Sequence, residues 1–215
     1  VSDVRETQAA IGVLISGRGS NLQALIDASR ERRLGAPIRV VVSNRADALG
    51  LDRARAAGIE TVVLPHTQAP DREAYDRALV QVLRERGVTL VCLAGFMRLL
   101  GPVFCEAFPD RVLNIHPSLL PAFPGMRAQA QALRHGVKVS GATVHFVTPA
   151  LDDGPIVLQE AVPVYDDDTE ETLSARILEV EHRIYPEAVR RVLAGGWRIE
   201  GRRVLFASTD SRDER

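Results

Sequence analysis

Short aliphatic runs alternating with longer amphipathic ones constrain this chain more than any other feature of its sequence. The runs predict strands at Ala10–Ile15, Ile38–Ser43, Thr61–Leu64, Val88–Leu93 and Val112–Ile115, and the segments between them predict helices at Asn21–Arg33, Asp47–Ala57, Arg72–Arg86 and Pro102–Ala107. Strand and helix in strict alternation can bury their apolar faces only as an α/β fold, a doubly wound and mostly parallel Rossmann-like sheet with helices on both faces. The composition agrees, because 46% of residues are hydrophobic but only 5% are aromatic, leaving aliphatic side chains to fill the sheet. Ligands of such sheets sit beyond the carboxyl ends of the strands, so Ser16, Ser43, Gly95 and His116 are expected to border one crevice.

After Pro117 the pattern changes. A loop rich in proline and glycine leads to a helix at Ala128–His135, strands at Gly141–Val147 and Pro155–Val162, and a long helix introduced by Asp168-Thr169-Glu170-Glu171 as a capping box. Pro186 is expected to kink that helix, and Trp197–Glu200 with Arg203–Phe206 reads as a hairpin around Gly201. No repeat or linker interrupts the pattern, so one domain over residues 9–206 is expected, with polar flexible tails at 1–8 and 207–215.

Twenty-seven basic against 28 acidic residues leave a formal charge of -1, which argues against nucleic acid or a membrane surface as the main partner and points to small molecules. Cys92 and Cys105 lack metal-ligand spacing and read as reduced thiols of a cytoplasmic protein. The histidines have no companions at ligand spacing either, so no metal is expected. No apolar run is long enough to span a bilayer and no signal peptide is visible.

Three constellations could carry chemistry. In Leu113-Asn114-Ile115-His116-Pro117-Ser118-Leu119-Leu120-Pro121, Asn114 and His116 stand two residues apart, so on an extended backbone both side chains point to one side. An amide and an imidazole at a strand end suit a developing oxyanion, with the imidazole also able to deliver a proton. Neither is a strong nucleophile there, which favours direct attack by a substrate amine. Second, Ser16-Gly17-Arg18-Gly19-Ser20-Asn21 follows the first strand and opens a helix, with Ser20 and Gln23 spaced as a capping box. Its glycines and the helix N-terminus suit a phosphate. It is neither a Walker loop nor a dinucleotide fingerprint, since Leu22 stands where the third glycine would be and the second strand ends in Asn44 rather than an acid. Third, Asp152 in Leu151-Asp152-Asp153-Gly154-Pro155 could hold an imidazole charged, although Asp-Gly sequences ordinarily just make turns. His145 shares a strand face with Thr143 and Val147 and reads as a structural histidine. Glu181 lies close to the inward face of the long helix and needs a partner there, unless it is an ordinary surface glutamate at the stripe edge.

Taken together, the chain resembles the folate-dependent formyltransferases, and within them the glycinamide ribonucleotide branch. The matching segments are Ile15–Ala24, Ser43–Ala48, Leu93–Arg98, Asn114–Pro121, Val144–Val147 and Asp152–Ile156, within a likeness running from about Ile11 to Trp197. The resemblance implies formyl transfer from 10-formyltetrahydrofolate, a cosubstrate, to the amine of 5-phosphoribosylglycinamide in purine synthesis. It also implies that the Asp152 loop folds over His116, making Asn114, His116 and Asp152 the catalytic group. Gly19, Ser20, Asn21 and Glu181 then hold the ribonucleotide. Arg72, Met97, Arg98, Leu99, Leu100, Asn114, Thr148, Pro149, Ala150, Leu151 and Asp152 line the folate side. One departure is Met126-Arg127-Ala128-Gln129-Ala130, which replaces a His-containing segment often seen in the family. Hydrolysis of the formyl donor is an alternative, but such enzymes usually carry a further regulatory domain for which 215 residues leave no space. Transfer to methionyl-tRNA would call for an RNA-binding extension and a more basic surface. A phosphate sensor that has lost its chemistry is the non-enzymatic alternative, and either a monomer or a homodimer fits the sequence.

Overall fold

The structure, a computed structural model, describes residues 9–207; the tails expected at residues 1–8 and, apart from Ala207, at 207–215 lie outside the described residues. Its elements run β1 (Ile11–Ile15), α1 (Ser20–Arg30), β2 (Ile38–Ser43), α2 (Gly50–Ala56), β3 (Glu60–Val63), α3 (Arg72–Arg84), β4 (Leu90–Leu93), α4 (Pro102–Ala107) and β5 (Val112–His116). They continue α5 (Ala128–His135), β6 (Val139–Phe146), β7 (Ile156–Pro163), α6 (Glu170–Ala194), β8 (Trp197–Glu200) and β9 (Arg203–Phe206). All nine strands join one sheet in the order β3-β2-β1-β4-β5-β6-β7-β9-β8. The first five are mutually parallel, and β6 then runs antiparallel between β5 and β7. The mostly parallel α/β sheet expected from the sequence is therefore present.

Alternation along each strand sorts the core into two layers. Ile11, Val13 and Ile15 of β1 join Leu90 and Cys92 of β4 on one face, covered by α1, α2 and α6. Leu14, Val91 and Leu93 face the other way, against Tyr75, Leu79 and Leu83 of α3 and Phe104 of α4. Because β1 is buried on both faces, every one of its residues is apolar or glycine.

Two helix caps differ from expectation, and α2 begins at Gly50 rather than Asp47. The capping box read at Ser20 and Gln23 does not form: α1 begins at Ser20 itself, Gly19 is its cap in the left-handed region (φ 73°), and the Gln23 amide donates to Asp27 instead. A residue already inside the first helical turn cannot act as the cap. At α6 the reciprocal pair is Thr169 with Thr172, not the acidic residues of 168–171. Asp168 is drawn off to accept from the Tyr165 N–H, the Thr172 hydroxyl and Arg176. α6 runs on through Pro186 to Ala194 as a single element. Among the described residues no helix is long and apolar enough to cross a membrane, and no group of three or more His, Cys, Asp or Glu is placed to hold a metal.

Candidate active site

The chain builds outward from β1 to β3, then crosses back to lay β4 on the other side of β1. Helices leaving neighbouring strands in opposite directions open a crevice there. Ser16, at the end of β1, ties its walls together: its N–H donates to Gly95 O (3.1 Å), its hydroxyl donates to Asn44 Oδ1 (2.6 Å), and its Oγ accepts from the Met97 N–H (2.8 Å).

The glycine-rich turn is seated on the start of α2. Gly50 N–H donates to Gly17 O at 3.0 Å, and the backbones approach so closely that a methyl on Gly19 would stand 2.6 Å from Gly50 Cα. A methyl on Gly50 would in turn meet Ile15 Cδ1 at 2.6 Å. Arg53 adds a bond from Nε to Arg18 O (2.9 Å). The first N–H groups of α1 carry no side-chain cap, which leaves them free to bind an anion. Asn21 Nδ2 donates to Glu181 Oε2 at 2.7 Å, while Asn21 Oδ1 is buried with no partner. Glu181 is only 7% exposed, and burial pushes its carboxyl up to about 7, against the pull of the Asn21 amide.

His116 of β5 meets the Asp152 loop. His116 Nδ1 lies 3.4 Å from Asp152 Oδ2, with both side chains over 90% buried. His116 Nε2 donates to the Phe123 carbonyl at 2.9 Å, and Asp152 Oδ2 accepts the Gly125 N–H at 2.8 Å. The loop is folded over by local chemistry: Asp152 takes the left-handed conformation (φ 48°), which Asp tolerates better than most residues. Gly154 lies so close to the Phe146 carbonyl that any Cβ would be 1.7 Å from its oxygen. The Asp-Gly pair thus makes a turn, and the turn also delivers the carboxylate.

His145 is the residue whose place the sequence reading missed. The β5–β6 register sets it opposite Asn114, whose Nδ2 donates to His145 Nε2 at 3.2 Å. His145 Nδ1 donates to Phe146 O at 2.9 Å, so the ring must leave Nε2 as an acceptor to take the Asn114 proton. Burial holds His145 below the usual imidazole range, favouring that neutral form, and Asp152 Oδ1 lies 3.7 Å away. A polar alternation, Thr143 then His145, inside a strand buried from Ser140 to Phe146 was the available signal. Thr143 itself pins the loop after His116, donating to Ser118 O and accepting from Leu120 N.

On the side expected to take the folate, Met97, Leu99 and Leu151 are large apolar residues left more than half exposed, while Leu100 is buried in the core. Arg72, Arg98, Pro149 and Ala150 are exposed and Thr148 is half-buried. A methyl on Gly125 would meet Leu151 Cδ2 at 3.7 Å. A cavity of about 340 Å³ lies beside the Asp152 loop, lined by Leu120, Pro121, Asp152, Gly154 and Arg202 among others. A larger hollow of about 510 Å³ between α3 and α4 contains none of the expected site residues.

Comparison with known proteins places these features in context. Residues 9–189 match the formyl transferase family model. The Escherichia coli phosphoribosylglycinamide formyltransferase is 48% identical over 192 residues, 89% of this chain and 88% of that protein. The trifunctional purine biosynthetic protein adenosine-3 of Bos taurus is 49% identical over 208 residues, 96% of this chain but 21% of that protein, so the chain spans about a fifth of the trifunctional relative. The crystal structure of glycinamide ribonucleotide transformylase 1 from Symbiobacterium toebii superposes with a TM-score of 0.92 at 55% identity, covering 97% of this chain and 98% of that one.

Proposed function

The chain belongs to the formyl transferase family, and from that premise we propose that it transfers a formyl group from 10-formyltetrahydrofolate to the amine of 5-phosphoribosylglycinamide, a step of purine synthesis in the cytoplasm. The observation that carries the reading is the contact of His116 with Asp152 at the end of β5, with Asn114 two residues away on the same strand and held by His145. A phosphate on the first turn of α1, held by Gly19, Ser20 and Asn21, would anchor the ribonucleotide, with Glu181 accepting from its donors. The donor would lie along Met97–Leu100, Arg72 and the Thr148–Asp152 loop.

In the reaction the neutral amine attacks the formyl carbon, and the carbonyl electron pair moves to oxygen. Asn114 keeps one Nδ2–H for that oxyanion while the other is held by His145. Protonated His116 supplies the second donor, and Asp152 opposes its charge. The Nε2–H of His116 is given to Phe123 O here, so the formyl oxygen must draw that proton from the Leu120–Gly125 loop. Collapse of the tetrahedral adduct breaks the bond to N10 of the folate, which receives the proton that the amine gives up. The products are the formylated ribonucleotide and tetrahydrofolate.

The test is to incubate the protein with the formyl donor, with and without the ribonucleotide, and follow deformylated folate spectroscopically. Turnover only with the amine supports transfer; turnover without it would mean a hydrolase, and none with either a binding protein. Asp152→Asn is expected to lower kcat by a hundredfold or more, roughly the cost of losing a charge that stabilises the transition state, with the fold intact and the pH profile moved. Unchanged activity would remove Asp152 from the mechanism.

A further inference from the structure

One chain of hydrogen bonds crosses the ends of four neighbouring strands, and its last member takes no part in the steps above. In sheet order the strands are β3, β2, β1 and β4, and the segments leaving them carry His66, Asn44, Ser16 and Met97. The Met97 N–H donates to Ser16 Oγ at 2.8 Å, the Ser16 hydroxyl donates to Asn44 Oδ1 at 2.6 Å, and Asn44 Nδ2 donates to His66 Nδ1 at 3.3 Å. Every donor points the same way, from Met97 toward His66. Ser16 and Asn44 are buried. His66 is half-buried in a single 3-10 turn, His66–Gln68, where its ring makes a T-shaped contact with Tyr75 of α3 at 6.4 Å and 85°.

Neither inner member of the chain can set its direction. A serine hydroxyl donates or accepts, and an amide turned over presents nitrogen where its oxygen was. With Asn44 reversed, Ser16 Oγ would face two donors, the Met97 N–H and Asn44 Nδ2, and its own proton would be buried without an acceptor. His66 Nδ1 excludes that arrangement when it carries a lone pair, because only the Nδ2 end of Asn44 can then bond to it. The hydroxyl proton is thereby sent to Asn44, and a hydroxyl that donates is the stronger acceptor for Met97. We propose that His66 is a positioning residue for the Met97–Leu100 segment: its unprotonated Nδ1 ends the chain, sets the direction of every bond in it, and so holds the Met97 N–H on Ser16. That this segment seats the formyl donor rests on the transferase reading; the chain of bonds does not.

Two substitutions separate the nitrogen from the ring. His66→Phe keeps a ring against Tyr75 without an acceptor, whereas His66→Asn gives up the ring and puts Oδ1 where Nδ1 was. His66→Phe should raise both the hydrogen-exchange rate of the Met97 amide, followed by NMR, and the KM for the formyl donor by about fivefold, the scale of one net hydrogen bond. His66→Asn should stay within about twofold of the wild type in both measurements. In a Ser16→Ala background the chain is already cut, so adding His66→Phe should change neither any further. The proposal is overturned if His66→Phe matches the wild type, if His66→Asn is as impaired as His66→Phe, or if the effect of His66→Phe persists in full over Ser16→Ala. The wild type supplies a check that no folding defect can spoil. With 15N-labelled histidine at pH 8, His66 Nδ1 must resonate as the bare nitrogen of a neutral ring, and a proton on Nδ1 overturns the proposal as well. Should the wild type turn over no formyl donor, the transferase reading fails while exchange of the Met97 amide still decides the role of His66.

Discussion

At the scale of single residues, the site works by fixing which proton points where. Asn114 can offer an N–H to an oxyanion only if its amide is held the right way round, and His145 Nε2 is the acceptor that holds it. His145→Ala would leave that amide able to rotate, so kcat should fall by roughly tenfold to a hundredfold, less than outright loss of an oxyanion donor. KM for the ribonucleotide should hardly move, because His145 is remote in the sequence and the fold from the α1 turn. A rise in KM with kcat unchanged would assign His145 a binding role instead. Glu181 makes a separate prediction through pH. Its carboxyl, at about 7 in the folded protein against 4.5 for the ordinary group, binds its proton more tightly folded than unfolded. The stability this contributes is fully present below about pH 4.5 and is lost as pH rises through about 7, a change on the order of 3 kcal/mol. Denaturant melts at pH 5 and pH 8 should show that loss in the wild type and not in Glu181→Gln. Ribonucleotide binding should move the opposite way, strengthening through the same range as the carboxylate forms and becomes the better acceptor. A flat wild-type stability profile would show that Glu181 is ionised throughout.

At the scale of elements, the turn proposed to hold the phosphate depends on a helix outside that turn, α2. Gly19 supplies the left-handed cap of α1, and Gly50 is the surface it rests on. In Gly50→Ala the new methyl would fall 2.6 Å from Ile15 Cδ1 and crowd Gly19 Cα, so the turn must shift by a few tenths of an ångström. The expected consequence is a rise of about tenfold in KM for the ribonucleotide with kcat nearly unchanged, from loss of well-aligned charge-assisted bonds to the phosphate. Isothermal titration with the ribonucleotide would check it; unchanged affinity would mean that the turn does not carry the phosphate. This dependence also marks the limit of what could be read from sequence. Gly17 and Gly19 could be found because they interrupt a strand-to-helix junction, and helices such as Pro102–Ala107 and Ala128–His135 could be placed because proline, glycine and apolar spacing act locally. Gly50 is a glycine for the sake of Ile15, Gly17 and Gly19, 31 to 35 positions earlier, and no local pattern encodes that. His145 is hidden in the same way, since only the β5–β6 register turns a buried strand histidine into the partner of Asn114. Asp152 is intermediate: the turn was legible, but its landing place on His116 came from family likeness and is explained by Gly154 against Phe146.

At the scale of the whole molecule, the sheet order sets the two loops proposed to hold the substrates on neighbouring strands, β1 and β4. The phosphate turn leaves β1, the segment expected to hold the folate leaves β4, and these strands are neighbours only because the chain reverses its direction of sheet growth between them. Ser16 is where the two meet. Its hydroxyl donates to Asn44 at the end of β2 and its oxygen receives the Met97 N–H, so one buried side chain sets the distance between the two loops. An amine and a formyl group brought together from separate sites react at a rate that depends steeply on that distance. Ser16→Ala would leave the Asn44 carbonyl and the Met97 N–H without their shared partner, at a cost of about 1–3 kcal/mol for each group left buried and unpaired. Because both loops lose the same anchor, affinity for both substrates should weaken and kcat should also fall, whereas Gly50→Ala changes the ribonucleotide side alone. A double-mutant cycle of Ser16→Ala with Gly50→Ala, read on the ribonucleotide KM, should then be non-additive, since each variant loosens the same turn. Strict additivity would mean that Ser16 holds only the Met97 segment, and that the two sites are aligned by the sheet without help from the junction.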